Sequence, residues 1–221
     1  MTLALLFLLA SLSMNINLRP WIGVLLKITI PTFIIVFILA SNTIKPDKNG
    51  NTTQGADEVN ETDSVQSLLA FQTVLEVIKD PRCMNCHPSG DRPRQGDDQH
   101  LHHFNVIRGV ENLGGKIQQC QSCHKSENNP YSNVPGAPHW ALAPRSMGWL
   151  GLSDIEIGRK LIDPQQNGGR TPEELVKHMT EDQLVLWGWD PGEGREPVQI
   201  PFEEFKTALN TWLDNGAYVP E

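Results

Sequence analysis

The sequence predicts an all-α, loop-rich domain whose centre is filled by more than its own side chains. Three observations lead there. Helical periodicity recurs in four stretches between about residue 64 and the C-terminus, with no credible alternating strand pattern against it. Aromatic residues are only 7% of the 221, while Gly and Pro number 18 and 16, a composition of turns around a thin core. The apolar residues are also concentrated in the first 40 positions, so the remainder is short of hydrophobic mass. Such a length holds one domain, or one domain with appendages.

The first helix is predicted over 64–79. Ser64 caps it, Val65, Leu68, Leu69, Val74, Leu75 and Ile78 recur at helical spacing, and Asp80-Pro81 ends it. Ser153-Asp154-Ile155-Glu156 is a capping box opening a helix that stops at Asp163-Pro164. Thr171-Pro172-Glu173-Glu174 is another, with proline at the first helical position. A last helix runs from about Pro201 to Asp214, burying Phe202, Phe205, Leu209, Trp212 and Leu213, with Gly216 past its end.

Residues 1–40 contain no Asp or Glu and two basic side chains, Arg19 and Lys27. Trp21–Ala40 would rise about 30 Å as a helix, enough to cross a bilayer. Read as a signal peptide, the same region has its apolar core at Ile28–Ala40, with Ile38 where a small residue is expected before cleavage. Met14 offers a second start upstream of the same span. Anchor or cleaved signal, both readings place residues 41–221 in the periplasm, with membrane attachment through the N-terminal helix if it is uncleaved. Residues 41–63 read as a flexible polar linker and 64–221 as the folded domain. Of 18 basic and 26 acidic side chains, only the two basic ones lie in the first 40 residues, so the exported part is strongly acidic. That balance argues against a nucleic-acid partner and for a basic docking surface on any protein partner.

All four cysteines fall in two motifs, Cys83-Met84-Asn85-Cys86-His87 and Cys120-Gln121-Ser122-Cys123-His124. C-x-x-C-H is the signature of covalent c-type haem attachment. Two thiols on one turn meet two vinyl groups on one porphyrin edge, and the adjacent imidazole, His87 or His124, becomes the proximal iron ligand. A zinc ribbon would place its cysteine pairs closer than the 33 residues between Cys86 and Cys120. A disulfide framework leaves the histidine after each pair unexplained, and a thioredoxin-like site wants a βαβ context that is not visible. Two haem c groups are therefore expected, and they supply the missing core mass.

With these motifs the domain resembles c-type cytochromes, in which terminal helices enclose a haem attached just after the first. The stretches MNCHPSGDRPRQGDDQHLHH, CQSCH, PGAPHWALAP, DPQQNGGRTPEELVKH and LVLWGWDPGEGR are similar to a bacterial group of small exported dihaem proteins known as isoquinoline 1-oxidoreductase subunits. The resemblance covers about residues 65–220. It implies a periplasmic dehydrogenase of the molybdenum-hydroxylase type as redox partner.

Distal iron ligands are sought among the remaining His and Met side chains. His102 is the first candidate and His100 the second, in the segment between the motifs; the resemblance favours both over His103. The same Asp97-Asp98…His cluster also reads as a solvated loop or a non-haem metal site. His178, on the helix from Thr171, is either a hydrogen-bonded core histidine or a distal ligand. Met147, in a proline-flanked loop, competes with His178 for the second haem, where methionine would raise the potential. Met84 sits inside its own motif, too close to reach the opposite face, and His139 is expected to bond locally. Trp187-Gly188-Trp189 fills core space, packs on a porphyrin face or marks a docking patch. Arg145, Arg170 and Arg195 are candidates for pairing with haem propionates.

The expected function is one-electron transfer by two haems, from a periplasmic dehydrogenase to a membrane oxidase or soluble cytochrome. The alternative is a peroxidase-like haem enzyme or small-ligand sensor with one open iron.

Overall fold

The first and last helices form the spine. The computed structural model describes residues 54–221. The signal or anchor expected at 1–40, and the linker as far as residue 53, lie outside these. α1 (Gln54–Ile78) and α7 (Phe202–Asp214) pack along each other. Phe71 meets Trp212 at 5.0 Å between ring centres, and Ser67 locks the pair by donating to the Trp212 carbonyl at 2.9 Å while accepting from Tyr218 N–H at 3.0 Å.

That clamp sets which face of α1 is inward. Phe71, Val74, Leu75, Val77 and Ile78 are buried, whereas Val65 and Leu69, expected in the core stripe, are exposed. The helix also begins at Gln54, inside the segment expected to be linker, and not at Ser64. Ser64 satisfies its hydroxyl on the Glu61 carbonyl one turn back instead of capping. Adding turns to a helix already docked costs little compared with nucleating one.

Asp80 caps α2 (Pro81–Met84), accepting from Arg82 N–H at 2.7 Å, so the first motif begins inside this short helix. A two-residue antiparallel hairpin follows, β1 (Arg94–Gln95) with β2 (His100–Leu101), where no strand was expected. The second motif forms α3 (Cys120–Cys123), one turn set in loops. Both capping boxes form as the sequence predicts. Ser153 with Glu156 opens α4 (Asp154–Ile162), and Thr171 with Glu174 opens α5 (Pro172–Glu181). Asp182 ends α5 and caps α6 (Gln183–Leu186).

α4 sits on α1 through Gly158, where a β-carbon would overlap Val219 Cγ1 and Phe71 Cζ. The core of α1, α4, α5 and α7 thus closes around the first motif, with Met84, Met147 and Trp149 as members. Among the described residues, no helix is long and apolar enough to cross a membrane.

Candidate functional site

The two motifs build the same local unit. The His87 ring donates its Nδ1–H to the Met147 carbonyl at 2.7 Å and stacks on Trp149, with ring centres 3.5 Å apart and planes within 10°. His124 donates Nδ1–H to the Pro135 carbonyl at 2.7 Å and stacks on Trp140 at 4.4 Å and 2°. A carbonyl only accepts, so the proton is held on Nδ1 and Nε2 is left as the ligating nitrogen. The motifs themselves point to neither tryptophan: Trp149 lies far along the chain from His87 and Trp140 one loop beyond His124, and no spacing rule relates them.

Backbone hydrogen bonds explain the first unit. Ala143 N–H donates to the Cys86 carbonyl at 3.0 Å and Trp149 N–H to the His87 carbonyl at 2.9 Å, drawing residues 143–149 alongside the motif. Buried Arg108 fastens the same region, donating to the Pro88 and Gly90 carbonyls at 3.0 Å and to the Ala143 carbonyl.

Met147 is therefore a neighbour of the first motif, on the His87 side. Its carbonyl orients His87, and its place beside the second motif is not realised. His178 is likewise at the first motif. It lines one cleft with Cys83, Cys86, His87, Met147 and Met179, a space of about 1090 Å³ free of protein atoms and partly open to solvent. His178 donates Nδ1–H to Asp182 Oδ2 at 3.1 Å. The expectation that His178 and Met147 compete at the second motif is corrected by these positions.

His102 goes to the second motif. Its ring centre is 6.0 Å from that of His124, with planes at 71°, and its Nδ1–H is held by the His103 carbonyl at 2.8 Å. His100 turns elsewhere, bonding Asp98 and lying 5.1 Å from His103 between ring centres. Asp97 pairs with Arg82, so the acidic loop is spent on structure. Among the described residues, no group of three or more His, Cys, Asp or Glu is placed to hold a metal ion.

All four cysteines are free thiols in the structure. Burial pushes the Cys83 thiol far up and the Cys86 thiol up to about 11, with the nearby Cys120 adding to the latter. Burial also raises Cys120. Such thiols are not the thiolates that redox or nucleophilic chemistry needs. Cys120 adds to the rise at Cys86, so the two motifs lie within electrostatic reach of each other. Burial drives His87 down to about 3 and lowers His124, keeping both imidazoles neutral at ordinary pH.

No family model, curated protein or solved structure matches this chain. The site is read from its own geometry.

Of the three arginines proposed for propionates, only Arg170 lines the cleft. Arg145 pairs with Asp91, and Arg195 is held by Asn133. Arg82, not anticipated, also lines the cleft; its buried Nε makes no hydrogen bond and lies 3.8 Å from Asp80 Oδ1. Trp187 lines the cleft too and meets Trp140 edge-on at 5.0 Å, which links the surroundings of the two motifs. Trp189 turns away to pack on Phe202 and Phe205, and His139 lies exposed beside Asp182.

Proposed function

We propose that this protein is an electron carrier with two covalently attached c-type haems, acting outside the cytoplasm. The observation that carries the reading is the repeated unit at the motifs. Two cysteines on one helical turn precede a histidine whose Nδ1–H is fixed by a carbonyl and whose ring rests on a tryptophan.

The residues present fit the group. Cys83, Cys86, His87 and His178 would hold the first haem, and Cys120, Cys123, His124 and His102 the second. His178 lines the same cleft as His87, and the ring centres of His102 and His124 lie 6.0 Å apart. The cleft at the first motif is walled mainly by apolar residues such as Leu142, Leu161, Leu175 and Trp187. Arg170 supplies a cation there, and Arg82 lines the same cleft while paired with Asp80 and Asp97.

When bound, each haem supplies a site for one electron. The protein's share is to fix four imidazoles in one tautomer, line the first site with apolar side chains and keep the two motifs adjacent. With two histidines available to each haem, the reading favours a carrier over a peroxidase-like enzyme or sensor, which would need an open iron. The donor in this reading is a periplasmic dehydrogenase, and the acceptor a respiratory oxidase or soluble cytochrome.

The test is an absorption spectrum of the purified, dithionite-reduced protein before and after carbon monoxide. Two c-type haems per chain that ignore carbon monoxide are expected. A shift in half the haem would transfer the case to the enzyme or sensor, and a matured protein without haem would end both.

A further inference from the structure

Four histidines gather at the two motifs, and three of them are held through Nδ1 by a backbone carbonyl, those of Met147, Pro135 and His103. His178 alone of the four is held by a carboxylate. We propose that Asp182 is a positioning residue for His178 and that its charge holds the reduction potential of the first haem below the value a carbonyl partner would give. The inference rests on the dihaem reading above.

The carboxylate is placed for this by the chain turn between two helices. Asp182 ends α5, which carries His178 four residues earlier, and begins α6. Its Oδ1 accepts from Leu184 N–H at 2.9 Å as the cap of α6. Oδ2 is then left for His178 at 3.1 Å. Both oxygens are used, so the carboxylate cannot swing away without uncapping a helix. An anion hydrogen-bonded to Nδ1–H makes the imidazole a stronger electron donor at Nε2 than a neutral carbonyl does. A stronger donor favours the oxidised metal, which lowers the potential.

The experiment separates this role from capping. Serine caps a helix about as well as aspartate, so D182S keeps the start of α6 and removes the anion. In D182N the cap oxygen is also retained, but an amide N–H faces Nδ1 and drives the proton to Nε2, the tautomer that cannot ligate. The full-length, haem-loaded variants are titrated against redox mediators while the visible spectrum is recorded.

In D182S, one of two midpoints should rise by at least tenfold in the one-electron equilibrium, which is 59 mV, with the other unchanged. D182N should raise the same midpoint and also make half of the haem reactive to carbon monoxide. Unchanged midpoints in D182S, an equal shift of both, or a fall would overturn the proposal. If the parent protein matures without haem, the dihaem reading fails first and takes this inference with it. Two haems with unmoved midpoints would defeat the inference alone.

Discussion

The first and second motifs present the same five-residue chemistry in two different scaffolds. His87 is walled by buried Trp149 and Met147, within a core shared by α1, α4, α5 and α7. His124 sits on one helical turn among loops; Cys123 is exposed, and Val110, Ile117 and Tyr131 along the flanking chain are almost fully exposed. The local unit of histidine, carbonyl and tryptophan is common to both. The depth at which each unit is set is not. Because burial is one of the levers on a haem's potential, a single chemistry can be tuned to two values by the scaffold alone.

Removing the cysteines should expose that difference most strongly. C120A/C123A is expected to leave a folded protein with one haem per chain by pyridine haemochrome assay. C83A/C86A should lose one haem and much of its helical circular dichroism too, since Cys83 packs against the main core. Equal structural loss in both variants would erase the contrast between the motifs.

The tryptophans give the next effect. Trp149 is buried, and W149A is expected to cost about 3–5 kcal/mol in urea unfolding. Trp140 is half-buried, and W140A should cost about 1–2 kcal/mol. A W140A cost matching that of W149A would mean the second unit is as deeply set as the first.

Much of the scaffold was legible in the sequence because helix signals are local. The capping boxes at Ser153 and Thr171 and the stripe of α7 depend on residues within a few positions of one another, and all formed. The start and inner face of α1 did not follow, because Ser67 and Phe71 take their direction from Trp212 and Tyr218 at the other end of the chain. The same limit applies to the candidate site. The motifs are contiguous and could be read, whereas which motif receives His178, Met147 or His102 depends on how loops return. For Met147, Ala143 N–H on Cys86 and Trp149 N–H on His87 decide it, and no sequence pattern announces a backbone hydrogen bond across that distance.

In the haem-free protein, where both motif histidines are free to titrate, acid should act mainly through the first motif. Burial holds His87 at about 3 in the folded protein against 6.5 in an exposed chain, and His124 is lowered as well. The unfolded chain therefore binds protons that the folded one refuses, and stability falls as pH drops below 6.5. His87 alone contributes up to about 1.4 kcal/mol per pH unit. Carboxylates in this chain start near 3.8–4.5, so the window from 6.5 down to 4.5 belongs to the histidines. Unfolding midpoints of the haem-free protein measured from pH 7.5 to 5 should decline in the parent and in H124Q, and decline less steeply in H87Q. An H87Q slope equal to the parent's would assign the decline to another group.

The smallest expected effect tests whether the helices serve the two sites unequally. Thr171 accepts from Glu174 N–H, and Glu174 returns the bond to Thr171 N–H at 3.0 Å, so T171A leaves helix donors without partners. Loss of such a cap costs about 0.5–2 kcal/mol. α5 carries Leu175, His178 and Met179 to the cleft of the first motif, and among the described residues no capped helix carries a histidine to the second. Fraying at Thr171 should therefore loosen His178 and leave His102 in place. The expected result is a modest loss of stability, with a redox midpoint or spectral change confined to one haem. A change in both haems, or in the second alone, would show that α5 serves the two sites together.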